Sequence, residues 1–225
     1  MTFEAAWLTL LLLQQGRERG EIQFHYPSAL DNEIENRKIL LFINDLSLTS
    51  LSKAVVLYMQ IWQKTHAMHS LTGIGNPGFL DLPMTAFFAS RQCPGTAIRA
   101  AMDWALQQAQ SKAVVVSGFH SPLEQSVLKV LTQARSPVVA VLARPVEGAK
   151  LPPDWAEPLA QGHLAVVSAA KATTRLTVEV ATARNNLVAQ LATYIVVAHA
   201  SPGGVLASLV TQWQLAGQGG VKVLG

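Results

Sequence analysis

Arginines, hydroxyls and glycines recur together at four places in the second part of the chain. These are Ala89-Ser90-Arg91-Gln92-Cys93-Pro94-Gly95, Ser117-Gly118-Phe119-His120-Ser121, Ala143-Arg144-Pro145 and His199-Ala200-Ser201-Pro202-Gly203-Gly204. Glycine lets a ligand come close to the backbone. Arg can grip a phosphate through two parallel hydrogen bonds. A helix starting just after such a segment adds unpaired N–H groups and a positive dipole end. Together these favour phosphate. None of the four segments contains Asp or Glu. They therefore offer neither a metal clamp nor a general base, and no catalytic residue, metal or cofactor is expected from them. Any one of them also reads as an ordinary turn, rich in Gly and Ser for conformational reasons. It is the acid-free set that points to a binding cleft.

The elements that position these segments follow from periodicity. Short apolar runs at 84–89, 113–116, 137–142, 164–167, 194–198 and 220–224 predict strands, several of them apolar on both faces. Between them lie helical patterns at 96–110, 122–134, 154–161, 176–191 and 204–216. The first carries Ile98, Ala101, Met102, Ala105 and Leu106. The second opens on Pro122 and carries Leu123, Val127, Val130 and Leu131. Strands apolar on both faces need cover on both faces, and parallel strands need long crossovers. The expectation is an α/β fold: an open, doubly wound, mostly parallel Rossmann-like sheet over 84–225, with ligands held beyond the carboxyl ends of its strands.

Residues 1–83 read differently. Phe3–Gln15 predicts a short apolar helix stopped at Gly16, Tyr26-Pro27-Ser28 a turn, and Leu51–Gln63 a second helix. The Gly- and Pro-rich stretch Ser70–Pro83 reads as a linker. The expected organisation is thus a small, mostly helical region at 1–83 and one domain at 84–225. Charge divides at the same place: residues 1–83 hold six Lys/Arg against eight Asp/Glu, and 84–225 hold eleven against six. The second part tolerates an anionic partner without demanding one.

Half of the 225 residues are apolar and 14% are charged, with a mean hydropathy of +0.27. That composition excludes a disordered chain. One cysteine excludes a disulfide framework. The longest apolar runs fall far short of the roughly 20 residues that span a bilayer, so no membrane partner is expected. Glu4 near the start and no basic n-region argue against a secretory signal, leaving a reduced, cytoplasmic setting as the default.

Several of these residues resemble a known family. Ser90-Arg91 is similar to its Gly-Ser-Arg signature. Val114 to Ser121 is similar to a segment written Val-Val-Ser-Gly-Leu-Ala-Arg-Gly. Pro137–Leu142 matches its next strand, and Arg184-Asn185-Asn186-Leu187-Val188-Ala189 resembles its Arg-Asn-Arg-Ile-Ile-Ala motif. Tyr194–Leu209 matches the strand and Gly/Ser loop that follow. The family is DNA-processing protein A (Smf), the recombination mediators of natural transformation, and the likeness covers about residues 84–225. Departures are Ala89 for the first Gly, His120-Ser121 for Arg-Gly, Asn186 for the second Arg, and Thr173-Thr174-Arg175 for a Phe-Pro stretch. The chain also stops at the last strand, without a winged-helix domain.

The resemblance implies single-stranded DNA binding without chemistry, followed by transfer of the strand to a recombinase. The nucleic-acid- or phosphate-binding set it implies is Ser90, Arg91, Ser117, Gly118, His120, Arg184, Asn185, Asn186, Ser201, Gly203 and Gly204. Arg91, Arg184 and either Lys171 or Arg175 would meet phosphates, Asn185 would hold backbone or base edges, and Phe119 or His120 would stack on bases. Losing two motif arginines implies weaker, more salt-sensitive binding than in a full member.

The alternative is a nucleotide-binding or phosphoribohydrolase relative of the lysine-decarboxylase-like group, whose signature is Pro-Gly-Gly-x-Gly-Thr-x-x-Glu. Pro202-Gly203-Gly204 fits, but Leu206, Ala207 and Val210 stand where Gly, Thr and the catalytic Glu belong. Gly73-Ile-Gly75-Asn-Pro-Gly78 spells a dinucleotide fingerprint but lacks a clear strand before it, and reads as linker. His66 and His69 have metal-compatible spacing without a third ligand, and read as solvated. Cys93, near Arg91 and a helix start that could lower its pKa, reads as a structural thiol. Trp155 reads as a packing anchor, and Trp213 as core or a dimer face. The helix at 204–216 offers more apolar surface than one sheet face must consume, so a homodimer is expected.

Overall fold

The computed structural model describes residues 61–66, 69–171, 177–217 and 220–224. The helix expected at Phe3–Gln15, the turn at Tyr26-Pro27-Ser28, most of the one expected at Leu51–Gln63, and Arg175 lie outside the described residues.

All six strands expected from 84 onward are present: β3 (Met84–Phe88), β4 (Val114–Ser117), β5 (Val138–Val141), β6 (Leu164–Ser168), β7 (Tyr194–Val197) and β8 (Gly220–Val223). They pair in parallel throughout. The crossovers carry α1 (Gly95–Ser111), α2 (Pro122–Gln133), α3 (Ala156–Ala160, after a 3-10 turn at Pro153–Trp155), α4 (Val178–Leu191) and α5 (Val205–Leu215). The α/β, Rossmann-like expectation holds.

Two further strands correct the reading of the segment before it. β1 (Trp62–His66) and β2 (His69–Gly75) form an antiparallel hairpin, and β2 adds antiparallel to β6. The stretch from Ser70 to Gly75, expected as linker, is therefore strand. Its glycines misled because they mark fixed geometry rather than flexibility: Gly75 sits at φ 84° with the Leu164 carbonyl where a side chain would stand. A side chain at Gly73 would run into the Trp62 ring laid across it, and Trp62 Nε1 donates to the Gly75 carbonyl at 3.0 Å. The next Gly of the apparent fingerprint, Gly78, lies in a 3-10 turn at Pro77–Asp81, where its N–H donates to Asn76 Oδ1 at 2.9 Å. His66 and His69 are register partners in the hairpin, and His69 Nε2 lies 2.8 Å from Gln190 Oε1.

The two-residue period of each strand divides the core between the two faces of the sheet. Phe87, Val115, Val138 and Ala140 meet α1, α2 and α3 on one side. Met84, Ala86, Phe88, Val116 and Val139 meet α4 and α5 on the other. Phe87 stacks on Trp104 and Phe88 tilts against Trp213, each with centroids 4.8 Å apart. Burying each Phe ring contributes about 2–3 kcal/mol. Trp155 is a buried anchor as expected, and Trp213 is core. Leu209, Val210 and Trp213 of α5 are spent on the sheet itself, while Leu215 stays exposed.

The strand order is β1-β2-β6-β5-β4-β3-β7-β8. From β3 the chain winds outward through β4, β5 and β6, then returns to lay β7 on the other side of β3. The order reverses between β3 and β7, and that is where an open parallel sheet leaves its crevice.

Candidate functional site

Beyond the carboxyl ends of β3 and β7, two of the four predicted segments are laced together. The Ser90 N–H donates to the His199 carbonyl at 2.9 Å, and the Ser201 N–H donates to Ser90 Oγ at 2.9 Å. The Gly204 N–H folds back to the Ser201 carbonyl at 3.0 Å. Gly203 sits at φ 72°, a left-handed conformation that glycine adopts without penalty. Gly204 is the N-cap of α5 and provides no side-chain cap. The start of α5 therefore keeps its orphan N–H groups.

The β4–α2 turn is built the opposite way. Ser117 is fully buried, and its Oγ accepts the Phe119 N–H at 3.2 Å. Phe119 takes φ 48° and sends its ring into the core; it is not a surface stacking platform. Ser121 caps α2, its Oγ accepting the Glu124 N–H at 3.2 Å. Glu124 reaches back over the turn: Oε2 accepts His120 N–H at 2.7 Å and Ser121 N–H at 3.0 Å. Its Oε1 accepts Ala89 N–H from the β3 turn at 3.1 Å. The cleft expected to be free of acid thus contains a buried carboxylate, contributed from the helix rather than from a loop. Burial pushes its carboxyl up, against the pull of those three N–H groups and the Arg184 charge.

Arg184 comes from α4, which packs on β3, β4 and β5. Its guanidinium lies directly over Gly118, where any side chain would overlap it. Its Nε is buried without a hydrogen-bond partner among the described residues. Burial lowers its pKa and Glu124 pulls it back. Among the described residues, Lys64–Asp81 is the single ion pair, at 2.6 Å. Glu124 compensates Arg184 through space without pairing with it. Arg91 and Arg144 are exposed, and Arg144 Nη2 donates to the Lys150 carbonyl at 3.0 Å. His120 feels all three guanidinium charges: burial first, then Arg184, Arg91 and Arg144 in turn, hold its pKa below the usual value.

The structure therefore gathers Ser90, Arg91, Gly118, His120, Arg184, Ser201, Gly203 and Gly204 at the carboxyl edge of the sheet, with Ser117 beneath as an internal brace. Asn185 is half-buried on α4. The Asn186 Oδ1 accepts the Trp213 Nε1–H at 3.0 Å, tying α4 to α5. Lys171 is exposed. Cys93 donates to the Ser90 carbonyl at 3.2 Å, and burial, with Glu124, raises its pKa, reversing the activation its neighbours suggested. Glu124 lies outside the four loop segments and is not legible from them. Its signal was present: Ser121 followed three residues later by Glu is the spacing of a capping box.

Residues 57–215 match the family model described as DNA recombination-mediator protein A. No curated protein sequence matches the chain. DNA processing protein A from Helicobacter pylori, described with a single-stranded DNA binding mode, superposes with a TM-score of 0.57. Its identity is 17% over 68% of this chain and 71% of that one. DNA processing protein A from Streptococcus pneumoniae gives 0.55 at 21% identity, over 68% of this chain and 54% of the other. The chain thus spans about half of the pneumococcal protein. At these identities the likeness is one of fold.

Proposed function

The chain belongs to the DNA recombination-mediator protein A family, and from that premise we propose that it binds single-stranded DNA along the cleft at the ends of β3, β4 and β7 without transforming it. The observation that carries this reading is Arg184: a mostly buried guanidinium with an unpartnered Nε and no ion pair among the described residues. A cation held mostly out of water, with Glu124 acting on it only through space, is costly, and an incoming anion offsets that cost. Arg91 and Arg144, both exposed, add positive charge that His120 also feels, as a ligand carrying many phosphates requires. Glu124 already accepts three N–H groups on its two oxygens. It is poorly placed to move a proton, which supports binding over hydrolysis. Self-association and hand-over to a recombinase belong to the same proposal.

The test is anisotropy of a labelled oligothymidine titrated at several salt concentrations. Arg91→Ala and Arg184→Ala should each weaken binding for every sequence alike and lower the salt slope by about 0.7 per lost phosphate contact. Equal binding by the wild type and the double variant removes the proposal. Light scattering with and without the oligomer reads self-association.

A further inference from the structure

Three backbone N–H groups from two different crossovers converge on one carboxylate. Ala89 donates to Oε1 at 3.1 Å, and His120 and Ser121 donate to Oε2 at 2.7 and 3.0 Å. Glu124 is 6% exposed, and the Arg184 guanidinium acts on it from across the turn. Backbone donors at a helix start with a cation alongside are the usual equipment for holding a small anion. Here the protein supplies that anion itself.

We infer that Glu124 is the specificity-determining residue of this cleft. It fills from within an enclosed seat for a lone small anion and leaves the cleft to ligands that spread their charge along an extended backbone. The inference rests on the cleft being the binding site, and it deepens that reading by naming the residue that keeps lone small anions out. The positions Glu124 leaves open are shallow: Arg91, Arg144, Pro202 and Gly203 are all exposed. Arg91 and Arg144 add their charge at the surface beside His120, so a ligand carrying several phosphates gains more from this face than a single phosphate does.

The experiment compares the wild type, Glu124→Ala and Glu124→Gln. Thermal unfolding midpoints are recorded against formate, which matches the removed carboxylate in size, and against inorganic phosphate. Glu124→Ala should bind one of these anions about tenfold or more tightly than the wild type, since charge-assisted bonds to three N–H groups become available. Glu124→Gln keeps the seat filled and should gain nothing. A purely structural role for Glu124 predicts that both variants lose stability and neither gains an anion. Glu124→Ser is carried in parallel should the Ala variant fold poorly. No gain by either small variant, or a wild type that takes both anions equally well, overturns the inference. Oligothymidine binding is measured alongside. A wild type that ignores the oligomer while Glu124→Ala gains an anion defeats the DNA reading and leaves the filled seat standing.

Discussion

The β4–α2 turn and the β7–α5 turn stand on the same edge of the sheet and use their backbone N–H groups in opposite ways. In the first, Ser121 and Glu124 cap the helix reciprocally, Ser117 holds Phe119, and Pro122 has no N–H to offer. In the second, Gly204 leaves the helix start uncapped and Gly203 turns left-handed at the surface. One turn is finished internally and serves as a floor; the other remains open to solvent. Composition alone does not tell them apart, because both are short, Gly- and Ser-containing and followed by a helix. The difference lies three residues further on, where one helix has Glu124 and the other has Ala207.

The sharpest way to break this contrast is at the floor. Gly118→Val would drive a side chain into the Arg184 guanidinium, and overpacking of this kind costs about 1–3 kcal/mol. Chemical denaturation should show that loss, and oligothymidine binding should fall as far as it does in Arg184→Ala. Ser121→Ala comes next. Loss of the N-cap should cost about 1 kcal/mol, while binding stays within about twofold because the hydroxyl faces Glu124 rather than the ligand. In the open turn the emphasis inverts: Gly203→Ala should cost about 1 kcal/mol for its left-handed backbone, yet weaken binding measurably.

The smallest effect is on pH. The folded His120 releases its proton below the ordinary value of 6.5. The unfolded chain therefore binds more protons in the window beneath that value, and ligand-free stability should decline there as pH falls. A bound polyanion offsets the three guanidinium groups and raises the His120 pKa. Affinity should accordingly rise as pH drops through the same window, and His120→Gln should flatten that rise in the anisotropy titration.

Most of the sheet could be read in advance because its strands are apolar on both faces and its helices carry regular stripes. Leu123, Val127 and Leu131 are an example, all buried as their spacing implied. The β1–β2 hairpin could not, because Gly73 is dictated by the Trp62 ring, 11 residues earlier, and Gly75 by its left-handed backbone against the Leu164 carbonyl, and periodicity registers neither contact. Ser90, Arg91, Arg184 and Ser201 could be named from residue type and motif position. That Asn186 holds Trp213, that Phe119 turns inward and that Cys93 is raised rather than activated depend on packing across the sheet, which no local pattern encodes. Glu124 is intermediate. Its capping spacing stood in the sequence, but its reach to Ala89 requires β3 and β4 to be neighbours.

Because Ala89, His120 and Ser121 share a single acceptor, their amide protons have a common fate. Deuterium should enter all three in one opening event, although 31 residues separate the first from the second. A fluctuation that frees the end of β3 then also frees the start of α2, so the two crossovers loosen and tighten as one mechanical unit.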